Sequence, residues 1–458
     1  MKVLLIDPPW IKKNDLTLWS KIGSCWPSLG LAYIASVLEK NGHEVKYLDC
    51  TAEQVSLENV PDTLKSYAVP DYVGITATTQ LFPNAIEVAK ICKKIFNCKV
   101  VIGGVHPSVM PEEALSYDCV DYVVRDEGEM TMLELISHTN VQEITGLSYK
   151  QNDKIFHQPD RELIKNLDTF PAPAYHLLPM SKYRPAIGSY KRLPAMIMFA
   201  TRGCPGRCTY CHRTFYGKVR KRSAHNMIEE IKLLQKNYGI KEISFYDDTF
   251  TLFKNNILEF CKIIEEEKID ITWSCFSRVD SINEQLLCAM KGAGCHLILF
   301  GVESADEQIL KNIKKDIKLD DVKTAIKLCR KLGIESRCSF MFGNPGETEE
   351  TMQKTIALAI DLDPDEVQFN ITTLYPGTEM FSWADSQGLI KTKDWSCYGM
   401  SDVVWELPNL KSEVVQKYYH MAHKQFYLRP KIILRRLMKI RTLAQLKQEI
   451  KGALAVVS

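Results

Sequence analysis

The sequence predicts an α/β chain in two parts. A doubly wound parallel sheet comes first, and a second parallel sheet of six strand–helix units, rolled into a partial barrel, follows it. A helical region ends the chain. Three observations predict this. Short apolar runs alternate with amphipathic helical patterns over residues 1–140, the signature of parallel strands joined by helices. The alternation breaks over 141–189, where Pro171, Pro173 and Pro179 gather, and resumes over 190–380. Beyond 380, apolar residues recur at helical spacing.

The elements follow in order. Strands are expected at 3–6, 44–48, 72–75, 100–102 and 122–124, with helices at 29–40, closed by Gly42, and 84–96. Residues 141–189 read as a linker, because prolines and polar residues replace the apolar rhythm. The second region offers strands at 196–200, 242–246, 272–276, 297–301, 336–342 and 367–374. Helices at 227–238, 256–266 and 348–361 fall between them. In such folds function sits at the carboxyl ends of the strands.

The chain has 458 residues, which suits two or three domains. Its net charge of +2 gives no global field for nucleic acid, and no nucleic-acid partner is expected. The charge is uneven, however. Residues 411–458 carry eleven Lys or Arg and two Asp or Glu, which leaves 47 basic and 54 acidic residues elsewhere, a net of −7. No apolar run reaches the ~18 residues that span a bilayer. The start, Met1 to Asp7, has too short an apolar core for a signal peptide and leads into Pro8 and Pro9. Both absences argue for the cytoplasm, where the fifteen cysteines read as thiols or metal ligands rather than disulfides.

Cys204, Cys208 and Cys211 lie at spacings of four and three, directly after a predicted strand. Such a triplet can converge on one centre from a single loop. Iron–sulfur clusters normally take four thiolates, so three would leave one iron open, as catalytic metal sites leave a position open. Arg202, Arg207 and Arg213 surround the loop and favour thiolates. The alternatives are a structural zinc site with His212 as fourth ligand, or plain core cysteines. Consecutive residues rarely both reach one tetrahedral ion, and the other twelve cysteines read mostly as core.

CxxxCxxC with Tyr210 before the third cysteine, after the first strand of a six-unit barrel, resembles the radical S-adenosylmethionine superfamily over residues 190–380. The resemblance implies a partial TIM-type barrel and a 4Fe–4S cluster whose open iron binds the amino and carboxylate groups of S-adenosylmethionine. An electron from the cluster then breaks the sulfonium bond and leaves a 5′-deoxyadenosyl radical. It also implies roles for the later strand ends. Asp247 and Asp248 would meet the methionine ammonium, or else cap a helix. Ser277 and Arg278 end the third strand, and Arg278 would clamp the methionine carboxylate or form a surface ion pair. Glu303 and Ser304 would take the ribose hydroxyls. Gly343, Pro345 and Gly346 would let backbone approach the adenine, with Thr348 as a helix cap. Tyr375-Pro-Gly377-Thr378 resembles the family's closing turn, which Pro-Gly alone also explains.

In the N-terminal sheet, ligands belong at the switch point outside the strand carboxyl ends. The loops there are Asp7-Pro8-Pro9-Trp10, Thr76-Ala-Thr78-Thr79-Gln80 and Gly103-Gly104-Val-His106-Pro107, with no GxGxxG. With Pro27-Ser-Leu29-Gly30-Leu31 and the acidic Asp126-Glu127-Gly128-Glu129, they resemble the Rossmann-like cobalamin-binding domain that precedes the radical barrel in one large subfamily. Asp126 stands where glycine is common. None of the ten histidines lies in the DxHxxG pattern that supplies a lower cobalt ligand, so that face is left open or screened by side chains such as Gln80. His106 would contact a corrin amide or cap a turn.

The resemblance implies a radical enzyme that modifies an unactivated carbon, most often by methylation. Its rivals are a ring-forming cyclase of the anaerobic magnesium-protoporphyrin ester type, a methylthiotransferase, and a non-catalytic metal-binding module. A methylthiotransferase needs a second cluster, and Cys25, Cys50, Cys92, Cys98 and Cys119 lack a convincing arrangement for it. The expected partners are a small-molecule or lipid- or tetrapyrrole-like substrate and an electron donor such as flavodoxin or ferredoxin. Lys431, Arg435 and Lys439 share one helix face beside Arg436, and Ile433, Leu437 and Ile440 line another. Such a helix lies on an anionic membrane face or packs on the barrel with its basic side in solvent.

Overall fold

The computed structural model describes residues 1–10, 23–137, 140–186, 188–212, 215 and 217–439. The chain forms two compact units. Unit one takes the N-terminal strand, Cys25–Arg184 and the short stretch Asp394–Tyr398, and unit two takes Pro185–Lys393 and the residues from Gly399 onward.

The strands of unit one are β1 (Lys2–Asp7), β2 (Glu44–Asp49), β3 (Tyr72–Thr76), β4 (Lys99–Gly103), β5 (Tyr122–Val124), β6 (Leu147–Gln151) and β7 (Lys154–His157). They pair in the order β2-β1-β3-β4-β5-β6-β7. The first five run parallel, and β6 and β7 are antiparallel. Val3–Ile6 and Val100–Ile102 are buried throughout, as strands covered on both faces must be. The strand order reverses between β1 and β3, so the loops after these strands and after β4 flank the switch point.

Unit one runs on past residue 140. Asn152 and Asp153, both at positive φ, make a two-residue hairpin turn that adds β6 and β7 to the sheet. The proline-bearing stretch that follows is strapped onto the helix Leu29–Lys40. The Ala174 amide donates to the Ala32 carbonyl at 3.0 Å, and Tyr175 is buried. The Tyr183 hydroxyl donates to Asp49 at 2.8 Å. The prolines set extended and turn backbone here without freeing the segment.

Unit two contains β8 (Ala195–Met198), β9 (Thr201–Arg202), β10 (Arg220–Lys221), β11 (Glu242–Phe245), β12 (Thr272–Ser277), β13 (Cys295–Glu303), β14 (Glu335–Phe342) and β15 (Glu366–Ile371). Six of them form one parallel sheet in the order β15-β14-β13-β12-β11-β8. The other two, β9 and β10, pair antiparallel. Ser223, Asn283, Asp306, Thr348 and Thr378 each cap the following helix by accepting a backbone N–H. β15 is an edge strand, and such an edge is an open template for further pairing unless it is covered. The helix Ser412–Tyr427 covers it. The Tyr427 hydroxyl takes both the N–H and the carbonyl of Val367, and His423 packs edge-on against Phe369.

The helix Pro430–Lys439 is turned opposite to the solvated basic face allowed by the sequence. Lys431 and Arg435 reach Asp363 at 2.7 and 2.8 Å, while Ile433, Leu434, Leu437 and Met438 are exposed. The side chain of Lys439 and the expected contribution of Ile440 lie outside the described residues.

The core of unit two centres on Trp273. It is fully buried among Phe245, Phe250 and Phe260, and its indole N–H donates to the Ala293 carbonyl at 2.8 Å. Replacing Trp273 with Ala empties this centre and orphans an acceptor. The expected loss is about 3–5 kcal/mol, read as a shift of the urea midpoint at unchanged slope.

Candidate functional site

The cysteine loop is clamped at its base by β9 and β10, where Arg202 pairs with Arg220 and Thr201 with Lys221. Gly203 bends the chain into the loop at φ +97°, and a Cβ there would stand 2.2 Å from the Lys218 carbonyl oxygen. The Cys204 sulfur lies 3.6 Å from the Thr249 hydroxyl and accepts the Gly206 amide at 3.4 Å. A Cβ on Gly206 would touch both Cys204 and Cys208 sulfurs, so this glycine leaves room between them. Cys208 is pushed down to about 6, first by its hydrogen bond with Cys211, with the Lys315 ammonium and the Tyr210 hydroxyl adding to it. Cys211 is pushed up by the same bond. The bond therefore favours the thiolate form on Cys208, the form that binds metal.

Among the described residues, no three His, Cys, Asp or Glu side chains meet at the spacing of a single-ion metal site. The donor set is instead three thiols on one loop beside two cations, Lys315 and Arg278, whose charges act on the cysteines. That set fits an anionic thiolate cluster better than a lone zinc with His212. Arg213 lies outside the described residues.

The strand ends divide into groups that support the loop and groups that remain available. Asp247 belongs to the support. It is buried and accepts the Ala200 and Thr201 amides and the Thr201 hydroxyl, at 2.6 Å for the last. Burial pushes its carboxyl up to about 6. It caps the root of the cysteine loop, not a helix, whereas Asp248 remains exposed at the strand end. Ser277 is spent in a buried hydroxyl network with Thr251 and Ser281. Ser304 binds the Asp306 amide and faces Thr355. Arg278 pairs with Asp280 at 2.7 Å and donates to the Asp316 carbonyl, the ion-pair alternative, while its charge still reaches the cysteines.

Glu303 is buried, is held at φ 72° after a register shift in β13, and pairs at 3.0 Å with the largely enclosed Lys315. Burial opposes the Lys315 charge, and Glu303 with Cys208 outweighs it, so the ammonium is held up. Sequence reasoning missed Lys315, because one lysine in a lysine-rich turn carries no signal of burial. It also passed over Glu347, whose carboxylate gathers the Gly343 and Asn344 amides in the β14 turn. Pro345 accepts from Asn312 at 2.8 Å, and Gly346 stands at φ +84°.

In unit one, Pro8 and Pro9 are buried and brace the loop after β1, with the Pro9 carbonyl accepting from Asn84. Thr79 is buried, Gln80 half-buried and Thr78 exposed. Gly104 is at φ +101°, and a Cβ there would stand 2.7 Å from the Ala77 carbonyl oxygen. The two loops can thus approach only through a bare backbone. Trp10 and Val105 are exposed at this rim. Apolar surface beside the Thr78 hydroxyl and the Gly103–Gly104 backbone fits the edge of a corrin with amide arms. His106 has no exposed surface, so it braces the rim from behind instead of touching a ligand. Glu127 and Glu129 also turn inward, and Glu127 accepts the Ile164 amide beside the helix start at Gly128. Asp126 is at φ 57°, which explains why glycine is common there and why Asp is tolerated.

Comparison with known proteins agrees with both halves. The radical SAM superfamily profile matches residues 198–359, and the B12 binding domain profile matches 16–136. An uncharacterised methyltransferase of Pyrococcus horikoshii is 40% identical over all of this chain and 98% of its own length. The anaerobic magnesium-protoporphyrin IX monomethyl ester cyclase of Rubrivivax gelatinosus is 29% identical over 83% of this chain and 69% of its own. In fold, the radical S-adenosylmethionine methyltransferase TsrM of Kitasatospora setae, solved with cobalamin and a [4Fe-4S] cluster, covers 94% of this chain and 89% of its own at TM-score 0.72 and 18% identity.

Glu347 yields a pH signature. Burial pushes its carboxyl up to about 8, far above the ~4.3 of an unfolded chain. The fold therefore prefers the protonated acid. This contribution is full below the unfolded value and is lost as pH rises through about 8. Glu347→Gln, which mimics the acid, should flatten that fall when urea stability is followed from pH 5 to 9. Parallel curves for the two proteins would contradict the assignment.

Proposed function

Because the chain belongs to the cobalamin-binding radical S-adenosylmethionine enzymes, we propose that it methylates an unactivated carbon of a small molecule. The observation that carries this reading is the union, in one chain, of the three-cysteine loop and the B12-type rim, matched end to end by a methyltransferase. When bound, the cluster and cobalamin supply electron transfer to S-adenosylmethionine and the carriage of its methyl group.

The chain's own residues bind and orient. Cys204, Cys208 and Cys211 hold the cluster. Asp247 fixes the root of their loop, which frees Asp248 to meet the methionine ammonium. Lys315 and Arg278 place positive charge beside the thiolates, where an anionic cluster and a methionine carboxylate both need it. Glu303, pre-set by Lys315, offers its carboxylate to the ribose hydroxyls. The Gly343–Gly346 turn, held by Glu347, presents backbone to the adenine. In unit one, Thr78, Gly103, Gly104 and Gln80 form the contact edge for cobalamin, with Pro8, Pro9, Thr79, His106, Glu127, Gly128 and Glu129 behind it.

The second reading is a radical cyclase without net methylation, favoured by the likeness to the protoporphyrin ester cyclase. A methylthiotransferase has less support, since Cys50, Cys92, Cys98 and Cys119 are buried. A small flavodoxin or ferredoxin suits the role of electron donor. Among the described residues, no helix is long and apolar enough to cross a membrane. The exposed apolar residues of Pro430–Lys439 support a peripheral membrane contact, but the use of Lys431 and Arg435 on Asp363 weakens its electrostatic part.

The test is transfer from S-adenosylmethionine bearing a trideuterated methyl group, in anaerobic reactions with extract of the source cells. A product carrying the heavy methyl, absent with Cys208→Ala, is expected. A product formed with no label gained would move the assignment to the cyclase reading.

A further inference from the structure

We propose that Trp395 is a positioning residue for the turn at Gly103–Gly104 and the short helix Val105–Val109 that follows it in unit one, a role that rests on the reading of this unit as the cobalamin domain. The loop is set from behind. The fully enclosed His106 ring lies 4.2 Å from Phe82 and 5.2 Å, edge-on, from Trp395 between ring centroids. Glu113 is hydrogen-bonded to Trp395 and packs against His106. Its Oε1 accepts the indole N–H of Trp395 at 2.7 Å, and its Oε2 stands 3.3 Å from His106 Nε2. On the far side of the ring, His106 Nδ1 lies 3.4 Å from the Thr79 hydroxyl, and the His106 amide donates to the Ala77 carbonyl. Thr78, between Ala77 and Thr79, is the exposed rim residue. A chain of contacts therefore runs from Trp395 through His106 to both loops that make the rim.

Trp395 reaches this place by an unusual route. The chain returns to unit one for Asp394–Tyr398 alone, more than two hundred residues after the unit's main segment ends at Arg184. The visit is ordered by its own contacts. Asp394 caps the turn through the Ser396 amide at 3.0 Å, and Tyr398 packs on Trp395 at 4.9 Å. Fixing five residues costs conformational entropy. What the visit delivers is one buried indole, with large apolar area and a single donor, and both are spent on His106 and Glu113. Gly104 makes the fit strict, because the loops touch backbone to backbone with no side chain to absorb a shift. Supporting residues of this kind govern how well a ligand loop holds its geometry.

The test uses full-length protein, reconstituted anaerobically with iron, sulfide and hydroxocobalamin. Hydroxocobalamin affinity is titrated by absorbance, and iron is counted on the same samples. Trp395→Ala should lose at least about tenfold in affinity, in the range seen when supporting groups of metal sites are removed, with iron per chain unchanged. Trp395→Phe, which keeps the ring but not the N–H, should fall between Ala and wild type. Equal affinities in all three proteins would overturn the proposal. So would a parallel loss of iron, which would mean a general failure to fold. A wild-type protein that binds no hydroxocobalamin would overturn the cofactor reading itself, and this role with it.

Discussion

The buried carboxylate of Asp247 holds the cysteine loop at its root, since it gathers two backbone amides and a hydroxyl from Ala200 and Thr201, between the end of β8 and the start of β9. Three thiols can serve one cluster only if the chain between them starts in a fixed direction. Asp247 supplies that direction from the neighbouring strand, and the β9–β10 pair closes the loop on its other side. The arrangement has a cost, for burial raises the pKa of this carboxyl and its donors offset the rise only in part. Everything at the site is built outward from this anchor: the hydrogen-bonded pair of Cys208 and Cys211, the cations that face it and the open carboxylate of Asp248.

Charge is handled in the same way throughout unit two. Buried charges are expensive unless paired and hydrogen-bonded, and the pairs here are placed where geometry matters. Glu303 with Lys315 lies beside the cysteines, and Arg222 with Glu230 ties the residue after β10 to the helix Ala224–Tyr238. The Glu303 pair keeps a carboxylate ready at a strand end while lending positive charge to the thiolates. Removing either partner would leave the other uncompensated, so the two act as one element.

Much of the fold was legible because parallel strands buried on both faces read as apolar runs and helices as a separate period. The hairpin at β6 and β7 was not, since four- and five-residue strands beside prolines resemble a loop until the sheet edge they extend is known. In the site, Cys204, Cys208 and Cys211 announced themselves by spacing, and the glycine-rich turns by their need for bare backbone. Residues that act by being buried did not. Lys315 looks like any surface lysine, Asp247 and Asp248 are indistinguishable in sequence, and Trp395 lies far along the chain from the loop it touches. His106 reads in sequence as a loop residue, yet it stands in the short helix Val105–Val109 and its enclosure gives it support in place of contact.

A chain that carries both a three-cysteine cluster and a cobalamin must hold two different metals at once. The most direct measurement is the metal content of protein purified anaerobically from cobalamin-fed cells and desalted. Such protein should hold about four irons and about one cobalt per chain, with iron lost and cobalt kept when Cys204, Cys208 and Cys211 are replaced by Ala. About one zinc per chain without iron, or iron without any cobalt, would contradict it.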